Sequence, residues 1–97
     1  MQSMFNATAF NQDIGSWNTA AVTNMLYMFQ GATAFNQDIG SWDTAAVTKM
    51  SWMFNRASLF NQDLSGWCVT NIAAEPDNFA LNSALTNANK PVWGTCP

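Results

Sequence analysis

The chain has 97 residues, of which 48% are hydrophobic and 13% aromatic but only 9% charged, and its net charge is −3. A domain of this size buries only about 60% to 65% of the surface its unfolded chain exposes, so it needs stabilisation beyond its core. Its basic residues, Lys49, Arg56 and Lys90, are scattered, which argues against nucleic acid as a partner, and no apolar run approaches the roughly 20 residues of a membrane-spanning helix.

Internal repetition dominates the chain. Phe-Asn-Gln-Asp begins at Phe10, Phe35 and Phe60, followed by Ile14, Ile39 and Leu64 and then by Trp17, Trp42 and Trp67, each step being 25 residues. Met-x-x-Met-Phe recurs as Met1 to Phe5, Met25 to Phe29 and Met50 to Phe54, and the first interval is one residue short. Residues 1–72 therefore read as tandem repeats with an incomplete first unit, and residues 73–97 as a C-terminal cap.

Within a unit, the alternation in Asn-Gln-Asp-Ile predicts a strand of about three to five residues, with Gln12 and Ile14 on one face and Asn11 and Asp13 on the other. Thr23 or Thr48 then stands as N-cap of a short helix whose stripe is Met25, Met28 and Phe29, at i, i+3 and i+4, and Gly31 suits its end. The expected fold class is an α/β repeat, a solenoid of strand-plus-short-helix units whose stacked Phe, Ile, Trp and Met columns form one core. Met1 already occupies a repeat position, so the reading expects the end of a longer array and self-association through residues 1–10.

Beyond Trp67 the third loop reads as shortened by three residues, with Val69-Thr70-Asn71-Ile72 aligned on Val47-Thr48-Lys49-Met50. The cap then brings a turn at Glu75 to Phe79, an i, i+4 pair in Leu81 and Leu85, and an extended run from Pro91 to Pro97. Cys68 and Cys96 favour a disulfide, which would close a loop worth about 3 kcal/mol on the chain-entropy model and imply an oxidising compartment. Two free buried thiols are the alternative. A metal site fits poorly, because the chain has no His and no second Cys pair.

Asn11, Asp13, Asn36, Asp38, Asn61 and Asp63 recur in register and form the candidate binding face. They fit either a stripe for a cation or polar ligand, or a ladder in which Asn side chains bond one another while each Asp caps a turn. Thr19 and Thr44, and Thr8, Thr33 and Ser58, align as hydroxyl columns of the kind an ice-binding surface presents. Paired Asp residues from adjacent units could act as acid and base, but every unit would repeat the same half-site. No phosphate loop, nucleophile elbow or cofactor motif is present, so no catalysis and no cofactor are expected.

The string Met-Phe-x-x-Ala-x-x-Phe-Asn-Gln-Asp-Ile-x-x-Trp-Asp-Thr-x-x-Val-Thr-x-Met resembles the bacterial surface protein repeat of about 25 residues over residues 1–72, and the tail resembles the C-terminal caps of such arrays. That repeat occurs in secreted and lipid-anchored proteins of mycoplasmas and listeriae and is related to leucine-rich repeats. Gln12 departs from the leucine-rich pattern by standing where an inward Leu is expected. The resemblance implies a leucine-rich-repeat-like solenoid and a secreted or cell-surface, adhesin-like module. Its partner would be an unknown protein or glycan.

Overall fold

In the computed structural model, which describes residues 4–5 and 9–97, the backbone donors of the Met-x-x-Met-Phe segments point to the neighbouring repeat. Tyr27, Phe29 and Gly31 donate their amides to the carbonyls of Ser51, Met53 and Asn55 at 3.2, 2.8 and 2.8 Å. Trp52, Phe54 and Arg56 do the same toward Asp77, Phe79 and Leu81 at 3.0, 2.8 and 2.8 Å. Between these amides the chain closes tight turns on itself, with Met28 N donating to Met25 O and Gln30 N to Tyr27 O. Left-handed backbone at Tyr27 and Trp52 (φ 58° and 63°), and again at Gly31 and Arg56 (φ 72° and 62°), stops each segment from continuing as a helix. Outside glycine, that conformation costs about 1 to 3 kcal/mol per residue, which the layer hydrogen bonds must offset.

The expected α/β solenoid of strand-plus-helix units, with its leucine-rich-repeat-like form, is therefore wrong. Among the described residues the regular structure is the 3-10 helix Asn87–Asn89 and a single parallel bridge between Asn24 and Lys49. The helical expectation failed because i, i+3, i+4 spacing does not distinguish one helical turn from two successive tight turns. Met25, Met28 and Phe29 are fully buried as expected, yet the amides that would bond along a helix are used between layers. The strand expectation failed differently. Gln12 is exposed while Ile14 is buried, and Trp17 N turns back to Ile14 O at 3.1 Å instead of pairing sideways.

The core is a zipper of rings. Each layer holds a stacked Phe pair with centroids 4.3 Å apart: Phe5 with Phe10, Phe29 with Phe35, and Phe54 with Phe60. Equivalent rings stack from layer to layer at 5.3 Å along Phe5, Phe29 and Phe54, and at 5.8 and 5.6 Å along Phe10, Phe35 and Phe60. Offset stacking of this kind is favoured by the ring quadrupole and adds to the area term. The Trp residues join layers by their polar handle, since Trp42 Nε1 donates to Ile14 O and Trp67 Nε1 to Ile39 O, each at 3.0 Å.

Two corrections concern the C-terminal third. The third unit is not shortened. The turns Val22 N to Thr19 O, Val47 N to Thr44 O and Ile72 N to Val69 O are equivalent at an unbroken 25-residue step, so Val69 replaces Thr44 and the supposed deletion is absent. The cap, in turn, retraces the repeat path. Phe79 N to Pro76 O and Ser83 N to Ala80 O reproduce the turns Met53 N to Met50 O and Ala57 N to Phe54 O, and Asn78 and Asn82 take the left-handed conformation of Trp52 and Arg56. Leu85 is buried as a core residue, whereas its expected partner Leu81 stays exposed. The ring column stops here, because Phe79 meets Phe54 edge-on at 83° and Trp93 meets Phe79 at 85°.

Candidate binding face

The Phe-Asn-Gln-Asp segment follows directly on the buried Phe, so its next three side chains leave the core together. Asn11, Asp13, Asn36, Asp38, Asn61 and Asp63 are all exposed. The structure brings the Asn residues into one ladder. Asn11 Oδ1 accepts from Asn36 N at 3.1 Å and Gln37 Nε2 at 3.0 Å, and Asn36 Oδ1 accepts from Asn61 N and Gln62 Nε2, both at 3.0 Å. Asn61 Oδ1 passes the pattern to the cap by accepting from Thr86 N at 3.1 Å and Asn89 Nδ2 at 3.0 Å. The amide oxygens of this column therefore hold layers together.

The Asp column has a different job. Asp13 Oδ1 and Asp38 Oδ1 accept from Gly15 N and Gly40 N two residues on, at 3.0 and 2.9 Å, which is the local turn typical of Asp. Asp63 Oδ1 accepts from Ser65 N at 2.9 Å and Ser65 Oγ at 2.6 Å. The Ser65 hydroxyl, and then its amide, hold the Asp63 carboxyl below the ordinary carboxylate range. One oxygen of each Asp is thus committed to its turn, and the column presents three of the six acidic groups of the chain on one exposed surface.

The glycines of this turn are set by layer contact. A Cβ on Gly15 or Gly40 would lie 2.6 Å from the carbonyl oxygen of Asp38 or Asp63 in the next layer, whereas one on Gly66 would meet nothing within 4 Å. This accounts for the change from Gly-Ser-Trp in the first two units to Ser-Gly-Trp in the third, whose next layer is the cap.

Thr19 and Thr44 are buried, and their hydroxyls donate to Asp43 O and Cys68 O at 3.0 and 2.8 Å, so they form no surface array. Of the other hydroxyl column, Thr33 and Ser58 are exposed, Ser58 Oγ bonding Thr33 O at 3.5 Å, while Thr8 lies outside the described residues. Residues 1–3 and 6–8 of the expected self-association segment also lie outside them. Within that segment Met4 is exposed and Phe5 is buried against Phe10.

Cys68 and Cys96 form a disulfide. It lies beside the hydrogen bond that Val69 N donates to Thr95 O at 2.8 Å, and so fastens the tail to the third layer. Among the described residues no group of three or more His, Cys, Asp or Glu could hold a metal ion, and no helix is long and apolar enough to cross a membrane.

One pair of residues escaped the reading of the sequence. Tyr27 and Trp52 occupy a variable position of Met-x-x-Met, yet their rings stack outside the core with centroids 6.2 Å apart. Two aromatics at one variable position of successive units was the available signal.

A family described as a Mycoplasma protein of unknown function, DUF285, matches residues 1–93. No curated protein and no solved structure matches the chain.

Proposed function

The chain belongs to this Mycoplasma family of unknown function, and from that premise we propose that it is a non-catalytic recognition module of the cell surface or secreted space, adhesin-like in action. The observation that carries the reading is the face of Asn11, Asp13, Asn36, Asp38, Asn61 and Asp63, which repeats one set of exposed polar groups layer after layer. Repetition of one half-site suits multivalent contact with a protein or glycan, because weak contacts at matched spacing add as avidity. The Cys68 to Cys96 disulfide supports an oxidising, extracytoplasmic location, and the resemblance to bacterial surface repeats supports the same assignment.

The test is adhesion of the purified, oxidised chain, displayed on beads, to intact host cells. Replacing Asp13, Asp38 and Asp63 with Asn keeps an oxygen for each turn and removes three charges. Adhesion should fall about tenfold or more with little change in melting temperature. Unchanged adhesion of the triple variant would remove this face from the function.

A second reading, a structural subunit that associates through its N-terminal edge, is favoured by Trp17. It is 39% exposed, whereas Trp42 and Trp67, each covered by a preceding unit, are 4% and 0% exposed. Sedimentation at high concentration that shows only monomer would end that reading.

A further inference from the structure

Among the described residues, left-handed backbone recurs in pairs at Tyr27 and Gly31, Trp52 and Arg56, and Asn78 and Asn82, and the residues that hold it differ in kind. Gly31, Asn78 and Asn82 are the types that adopt it readily. Tyr27, Trp52 and Arg56 are not, and a bulky residue at positive φ is a true outlier; of the three, only Tyr27 and Trp52 share one position in successive layers with rings that meet each other. The path does not require rings there, since Asn78 holds the equivalent position in the cap. Nor does the core require them. Tyr27 and Trp52 lie outside the buried cluster, half-buried, and stack on each other at an interplanar angle of 26°. Their backbones are pinned by Tyr27 N to Ser51 O at 3.2 Å and Trp52 N to Asp77 O at 3.0 Å, so the rings stand on a rigid base. The path needs the left-handed backbone but not a ring on it, and rings kept at a strained position that Asn fills at lower cost mark a working site.

We propose that Tyr27 and Trp52 form a stacking platform for the apolar face of carbohydrate rings, which makes a glycan the ligand of this recognition module. The proposal rests on the reading of the chain as a recognition module and names its ligand class. A sugar ring offers C–H groups to an aromatic face and hydroxyls to amides at its edge, and Asn24, Gln30, Ser51 and Asn78 flank the two rings along the chain and across the layers. Residues 24–31 and 49–56 contain no acidic group and only Lys49 and Arg56 as charges. With Asp77 beside Asn78 across the layer as its acidic group, this polar, amide-bearing border suits hydroxyls better than the desolvated, apolar surround of a protein hot spot.

The test titrates the full oxidised chain with soluble hexasaccharides of glucose, N-acetylglucosamine and galactose, followed by calorimetry and by the indole resonances. At least one should bind saturably, with a dissociation constant of about 1 mM or tighter. Tyr27→Asn with Trp52→Asn should weaken that binding about tenfold or more, while the melting temperature holds or rises, because Asn suits the left-handed position. Gly66→Ala, whose added methyl meets nothing within 4 Å and which lies outside both the rings and the Asn and Asp columns, should bind the sugar as the native chain does. If the double variant fails to fold, each single Asn substitution carries the same comparison.

Absence of saturable binding to all three sugars overturns the proposal, as does binding that survives the double variant. A third overturning result is adhesion that depends on both rings but persists after cell-surface glycans are removed, which would make the platform a protein contact. Adhesion lost in the triple Asp variant but kept in the ring variant, with the sugars silent, sinks the platform and leaves the adhesive reading standing.

Discussion

The regular layers and the cap follow one path with different residues. In the layers, Met50, Met53 and Phe54 shape a pair of turns beneath Met25, Met28 and Phe29; in the cap, Pro76, Phe79 and Ala80 shape the same pair. The backbone route therefore tolerates wide substitution. What does not vary between the first two units is what one copy presents to the next: the Asn oxygen that receives the following amide, the Gly that admits a carbonyl, and the ring that lies on its equivalent. Repetition of sequence here reflects contact between copies, and where the last copy has no identical successor the sequence is free to change.

That contrast can be broken most severely in the ring column. Phe54→Ala removes a fully buried side chain that touches Phe29, Phe60, Trp67 and Phe79, and should cost about 3 to 5 kcal/mol in urea unfolding. Phe79→Ala should fall at the low end of that range, because Phe79 has ring contacts only with Phe54 and Trp93 among the described residues. An equal or larger loss at Phe79 would mean that the cap, not the column, dominates stability. Next comes the covalent tie. Replacing Cys68 and Cys96 together with Ala should cost about 3 kcal/mol, with a midpoint that no longer responds to reductant.

The glycines sharpen the comparison at one turn. Gly40→Ala drives a methyl to 2.6 Å from Asp63 O and should cost about 1 to 3 kcal/mol. Gly66→Ala meets nothing and should be neutral or slightly stabilising by thermal melt. Equal effects at the two positions would contradict the layer explanation of the Gly-Ser exchange.

The smallest effect is electrostatic. Because the Ser65 hydroxyl is the main cause of the depressed Asp63 pKa, Ser65→Ala should raise it toward the ordinary value in a carboxyl-carbon NMR titration. A carboxylate with a lowered folded pKa contributes stability that is present above its unfolded value and lost as pH falls through the folded one. That contribution should shrink in the variant.

The repeat step, the buried Phe, Ile, Trp and Met columns and the cysteine pair were legible in the sequence because each leaves a periodic or countable mark. The in-register Asn and Asp columns were legible too, including the two ways they could be used. The strand and helix were not, because the spacing of Met25, Met28 and Phe29 reports only which side is buried, and nothing in Tyr or Trp announces a left-handed backbone. The cap's kinship to the layers was hidden because Pro76, Phe79 and Ala80 share a path with the methionines and Phe54 but no chemistry. The equivalence of Val69 with Thr44 was hidden by the apparent match of Val-Thr to Val-Thr.

The position of the disulfide along the chain also bears on how such a stack assembles. Its 28-residue span equals that of the Trp67 to Ile39 hydrogen bond. Every layer contact must be reached by closing a loop of about this size, an entropic toll that makes non-local folds slow. In the oxidised chain one such loop is already shut in the denatured ensemble. The final layer then offers itself as a template on which earlier layers zip in turn, and reduction should slow refolding far more than it speeds unfolding.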